Sequence, residues 1–384
     1  MPRPALHFSR SIASLLLALS LLSGCVTTGP REMLLRPKGA AEAKNIVFPP
    51  QAEGDVPRFI YLGELIGDSN FYGESGKPGL TGRDIANFLL GGLLGEAEQR
   101  FLSRPQSILV DAQGRVLITD FGRGGILVFD EKKGSLDEWR IIDKTRRFLA
   151  PVAITQGPEG SFFVSDADHA LIAHLDASGK PLAILGQGQL TRPTGIAYEA
   201  ETKRLFVVDT QAHHIKVFDV TGRLLDVWGE RGEEADQPRN KTRDTDDLIF
   251  NLPSHLTVSK GKLYIADTMN ARVQVVSSKT GKPIDIIGSR GIFVGNLIRP
   301  KGIAVDSEDN IYVIEGYHDH LLVFNQRGQF LMPIGGEGIN PGQFNLPTGI
   351  YIDKRDRVFI ADAHNARVQV FQFLGGSGNA AGKD

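Results

Sequence analysis

The sequence predicts an all-β fold, a six-bladed β-propeller, on three observations. Pro105, Pro151, Pro193, Pro253, Pro300 and Pro347 recur at intervals of 46, 42, 60, 47 and 47 residues. A period in the forties is that of propeller blades. Each proline opens the same grammar of four short apolar strands, and the last copy stops one strand early while a matching strand stands before the first.

The grammar is clearest in the later copies. A strand such as Gly302 to Asp306 follows the proline, then a polar turn (Ser307 to Asn310), then a second strand ending in an acid, as in Leu263 to Asp267. A loop leads to a third strand (Arg272 to Val276), and a glycine turn to a fourth (Ile284 to Gly288). Val, Ile, Phe and Tyr fill the strands, and Gly, Asn and Asp fill the turns. Four such strands make one blade. After Val368 to Phe373 no fourth strand follows, and Arg58 to Gly67 resembles the other fourth strands. The N-terminal strand is expected to close the ring and leave no open sheet edge.

One motif carries a family resemblance. Asp267-Thr268-Met269-Asn270-Ala271-Arg272-Val273-Gln274 and Asp362-Ala363-His364-Asn365-Ala366-Arg367-Val368-Gln369 resemble the NHL-repeat signature, D-x-x-N-x-R followed by an alternating apolar strand. The resemblance spans about residues 57–374 and implies fold more than function. Asp267, Asn270, Arg272, Asp362, Asn365 and Arg367 are read as structural, the acid and the arginine pinning the loop between them.

The start of the chain reads as an export signal. Arg3 and Arg10 are basic, and Ile12 to Leu22 is an uncharged apolar run too short to span a bilayer. Leu22-Ser23-Gly24-Cys25 resembles the bacterial lipobox. The resemblance implies a signal peptide over 1–24, a diacylated Cys25 as the mature N-terminus and, with Val26 next, sorting to the outer membrane on its periplasmic side. Residues 25–56 are expected as a tether, with Ile46 to Pro50 packing against the domain, and 375–384 as a disordered tail.

Composition excludes several function classes. Cys25 is the only cysteine, so the chain has no internal disulfide and no Cys-based metal centre. A net charge of −2 gives no basic field, so nucleic acid is not an expected partner.

Strand direction places the candidate sites. Loops between strands two and three share one face, here the upper face, with links from strand four to the next blade. The insertions at 68–101 and 232–251 are both such links. The tether and the C-terminus are expected on the lower face, which would turn the upper face away from the membrane. Thr81 to Asp84 has capping-box spacing, and Ile85, Phe88, Leu89 and Leu93 follow on one helical face. That helix is either a plug over the channel or a docking element. The second insertion mixes charges, and Asp244, Asp246 and Asp247 lack the glycine and terminal Glu of an EF-hand.

Upper-face loops also carry His169, His213, His214, His318, His320 and His364, and His169, His213, His318 and His364 join the helix residues as candidate binding residues. They share no motif position, and a calcium or zinc ion in the channel is a minor alternative to having no cofactor. Peptide-amidating lyases of the NHL group resemble this fold and use histidines directly after the blade-start proline. Here those positions are Gln106, Val152, Thr194, Ser254, Lys301 and Thr348, and His255 is one residue late. Two functions remain. One is a membrane-anchored scaffold that binds envelope proteins through the face carrying the insertions. The other is a periplasmic metal-dependent hydrolase or lyase.

Overall fold

The computed structural model describes residues 32–35, 46–50, 56–72, 99–233 and 248–375. They form six antiparallel sheets arranged as a propeller. Blade 1 comprises Pro105–Val110, Val116–Asp120, Gly125–Asp130 and Ser135–Trp139. Blade 2 runs Pro151–Gln156, Phe162–Asp166, Leu171–Leu175 and Pro181–Leu185, and blade 3 runs Pro193–Glu199, Arg204–Asp209, His214–Asp219 and Leu224–Trp228. Blade 4 contains Leu256–Ser259, Lys262–Asp267, Arg272–Ser277 and Pro283–Ile287. Blade 5 contains Pro300–Val305, Ile311–Glu315, His320–Phe324 and Phe330–Gly335. Blade 6 takes Pro347–Ile352, Arg357–Asp362 and Arg367–Phe373 from the C-terminal end and closes with Phe59–Leu65.

The closing strand is held as the strand pattern requires. Phe373 stands opposite Phe59 and Val368 opposite Leu65, with a bulge at Val370/Phe371. Middle strands are buried on both faces, because each blade packs against two others. The core is accordingly divided into six apolar clusters, one at each blade interface. Blades 5 and 6 share Tyr312, Phe344 and Phe371, while blades 6 and 1 share Leu65, Phe129 and Phe359. Trp139 and Trp228 end outer strands and pack over the next blade's turn, where a Cβ on Gly179 or Gly281 would lie 2.2 or 2.7 Å from the indole. Only glycine fits there.

Two parts of the expected tether belong to the domain. Val47–Phe48 adds a fifth strand outside Phe59–Leu65, and Phe48 meets Phe371 edge-on at 5.9 Å. Glu32–Met33 pairs with Phe71–Tyr72, just beyond the upper end of the closing strand. Leu34 N–H donates to Asn70 O at 2.8 Å, Tyr61 N–H to Ile46 O at 2.9 Å and Arg58 N–H to Phe48 O at 2.7 Å. The described pieces thus lie at the upper end of the closing strand (Glu32 to Leu35) and beside its lower end (Ile46 to Phe48). Val47–Phe48 lies within Ile46 to Pro50, the stretch expected to pack against the domain, whereas the pairing of Glu32–Met33 at the upper end was not expected, since a two-residue strand has no periodicity to reveal it.

The first insertion is clamped at its stem. Asp68 accepts two bonds from the Arg100 guanidinium (2.9 and 3.2 Å) and one from its backbone N–H (2.7 Å). Ile85, Phe88, Leu89 and Leu93, the acids Asp244, Asp246 and Asp247, and Cys25 lie outside the described residues. No helix among the described residues is long and apolar enough to cross a membrane.

Candidate functional site: the upper face and the channel

Each blade delivers its second strand to the upper face with a buried acid at the end. That acid accepts backbone N–H groups from the arriving link. In blade 1, Asp120 takes Ser103 N–H (2.6 Å) and Arg104 N–H (3.0 Å). Blade 2 uses Asp166, blade 3 Asp209 and blade 5 Glu315 in the same way. The acid is enclosed, so its charge must be met by donors.

The repeated motif completes that arrangement in blades 4 and 6. Asp267 Oδ1 accepts Asn251 N–H at 2.7 Å. Its Oδ2 accepts Asn270 Nδ2 (2.8 Å), Arg272 Nε (2.8 Å) and Gln274 Nε2 (3.0 Å). Arg272 and Gln274 also donate to Ile249 O. Asp362, Asn365, Arg367 and Gln369 repeat the pattern, and Arg367 adds a 3.0 Å bond to Glu64 on the closing strand. Burial pushes the Asp267 carboxyl above the ordinary carboxylate range, against the pull of Arg272. These residues lace links to blades and present no free group for chemistry.

The loop geometry repeats where the motif letters do not. Four residues after the acid, the backbone is left-handed in all six blades: Gly124, Ala170, His213, Ala271, Asp319 and Ala366 have φ between 52° and 62°.

The upper-face histidines stay apart, each serving its own blade. His169 Nε2 lies 2.9 Å from Arg147 O, and His213 Nδ1 accepts Leu252 N–H at 3.1 Å. His318 Nδ1 sits 3.2 Å from Glu315 Oε2. His364 donates its backbone N–H to Asn345 O at 3.1 Å. His318 and His320 approach each other, with rings 6.3 Å apart. Among the described residues no three His, Cys, Asp or Glu side chains converge as metal ligands.

At the axis, inner strands meet tightly at their upper ends. Hydroxyls bridge from blade to blade: Thr119 Oγ1 to Val152 O (2.9 Å), Ser165 Oγ to Thr194 O (2.5 Å), Thr194 Oγ1 to Ser254 O (2.7 Å), Thr268 Oγ1 to Pro300 O (2.9 Å) and Thr348 Oγ1 to Pro105 O (3.0 Å). The remaining step, blade 5 to blade 6, is made by Gly302, where a Cβ would lie 2.6 Å from Thr348 O. Below this ring lies a cavity of about 320 Å³, reached by Thr155, Tyr198, His255, Thr257 and Tyr351. His255 lines this cavity at the start of blade 4's inner strand. Both its ring nitrogens are enclosed without a protein partner, and burial together with the Lys301 charge lowers its pKa to about 4. Lys301 is itself held below the ordinary lysine value by burial. Neither residue had a motif to mark it.

A family model described as a 6-bladed beta-propeller matches residues 305–378. The chain is a six-bladed β-propeller. Protein brain tumor of Drosophila melanogaster is 28% identical over 150 residues, 38% of this chain and 12% of that protein. Peptidyl-glycine alpha-amidating monooxygenase B of Xenopus laevis is 28% identical over 147 residues, 35% of this chain and 16% of that protein. The propeller thus spans a small part of both curated relatives. Among solved structures, a streptogramin B lyase superposes with a TM-score of 0.52 at 14% identity, covering 90% of this chain and 94% of the lyase. A gluconolactonase of Xanthomonas campestris gives 0.53 at 14% identity, covering 74% and 92%. These are likenesses of fold.

Proposed function

We propose that this propeller is a membrane-anchored binding module of the cell envelope. In this reading Cys25 carries the acyl anchor, on the periplasmic side of the outer membrane, and the face bearing the insertions docks a protein partner. The observation that carries it is the construction of the upper face. Its links are laced to buried acids, its histidines are dispersed, and a hydroxyl ring draws the inner strands together beneath it. Such a face is a rigid platform with exposed apolar side chains such as Leu149, Met269 and Tyr317. Crosslinking of the anchored chain in its native envelope, beside a variant lacking residues 80–100, tests this. A reproducible partner lost on deletion supports the docking role. An intact fold without any partner contradicts it.

A second reading, a channel hydrolase or lyase, is favoured by His255 alone. A neutral imidazole with two unpartnered nitrogens in a cavity is equipped to meet a ligand or a metal ion. The metal content of the purified chain, beside that of a His255→Leu variant, tests it: stoichiometric metal lost in the variant would favour this reading over the platform.

A further inference from the structure

We infer that the axial cavity beneath the hydroxyl ring is a binding site for a small uncharged molecule, held at its closed end by a hydrogen bond to His255. The site opens away from the upper face, so it adds to the docking role and does not depend on it.

All six inner strands wall this cavity, from Ser107 to Leu109 in blade 1 round to Gly349 to Tyr351 in blade 6. Its upper end is closed by the hydroxyl bridges and by the close backbone approaches at Gly195, Gly302 and Gly349, where no Cβ would fit. Access is therefore from the lower ends of the strands, where Gln156 and Tyr198 stand. A volume of about 320 Å³ is roughly twice what admits benzene to an engineered apolar cavity. One ring with a short substituent fits.

The chemistry of the walls selects the class of ligand. Ser107, Gln156, Tyr198, Thr257 and His255 line the cavity from blades 1 to 4, and none of these side chains hydrogen-bonds to another described residue. Among the described residues no Asp, Glu, Lys or Arg lines it. Buried polar groups are as a rule paired, yet both ring nitrogens of His255 are enclosed without a partner. Burial holds that ring neutral, with a pKa of about 4, so one nitrogen donates and the other accepts. An ion here would meet no counter-charge on the walls, and burying an unpaired charge is costly. A cation is opposed further by Lys301, whose charge bears on the ring from the adjacent blade. What the site suits is an uncharged molecule carrying a hydrogen-bonding group such as an amide or a hydroxyl.

The test is calorimetric titration of the purified full chain with three probes of one shape and different charge: benzamide, benzoate and benzamidinium. At neutral pH benzamide is expected to bind about tenfold more tightly than either ion. His255→Phe keeps a ring but no nitrogen and should weaken benzamide about tenfold. Thr257→Trp places an indole in the cavity, leaves His255 in position and should abolish binding. The charge series on the unaltered chain decides the matter even if a variant fails to fold. Either ion binding as tightly as benzamide, or an unchanged benzamide affinity in a folded variant, overturns the inference. So does binding that requires added zinc, which would favour the metal-dependent reading, and so does no binding of any probe at millimolar concentration.

Discussion

Asn70 holds Leu34 to the top of the closing strand. Its side-chain amide donates to Leu34 O and Glu64 O, while its Oδ1 accepts Ile66 N–H (2.7 Å) and Gly67 N–H (3.0 Å). All four bonds are made by a side chain with no solvent exposure. Asn70→Ala should cost about 3 kcal/mol, since it strands buried backbone groups. It should also release the segment before Val47 to proteases. Chemical denaturation and limited proteolysis together check this. Lost stability with an unchanged cleavage pattern would show that the N-terminal path is fixed by other contacts.

The motif arginines should be worth far more than surface ones. Arg272→Met leaves Asp267 enclosed without its cation, and a loss of roughly 3–5 kcal/mol is expected. Arg192→Ala breaks an ion pair with Asp168 in which both side chains are nearly half exposed (48% and 46%); its loss should stay within about 0.5 kcal/mol. Urea denaturation of both variants decides whether the repeat's letters encode structure.

Much of the fold was legible because blades repeat. Proline, alternating apolar strand and terminal acid recur at fixed offsets, and the closing strand Phe59–Leu65 shares the pattern of the strands it completes. What stayed hidden has no period. Glu32–Met33 is only two residues long, and Asn70 looks like any polar loop residue. The site was legible only as a face, through strand direction.

The left-handed position after each acid offers a gain in stability. Ala170 and Ala366 hold φ of 53° and 52°, a region that a Cβ disfavours. Ala366→Gly should stabilise by about 0.5–1 kcal/mol, raising the midpoint of thermal unfolding by a few degrees. A lower midpoint would mean that the alanine methyl supplies packing that outweighs the strain.

Stability should depend on pH through His255. Its folded pKa, about 4, lies below the ordinary histidine value of 6.5. Between these values the unfolded chain binds a proton that the folded chain does not, so stability rises with pH across the window and is lost as pH falls from 6.5 towards 4. The contribution is on the order of 3 kcal/mol. His255→Leu should flatten this part of the profile, measured by denaturation at a series of pH values. An unchanged slope would assign it to other groups.

The central claim is that the upper face meets a protein. The measurement that tests it most directly is site-specific photo-crosslinking in the native envelope. Leu149 stands exposed on the upper face, and Gln326 lies in a lower-face turn. A photoreactive residue at 149 should give a discrete protein adduct, and one at 326 should give none. An adduct at 326 alone, or the same adducts at both, would contradict the account.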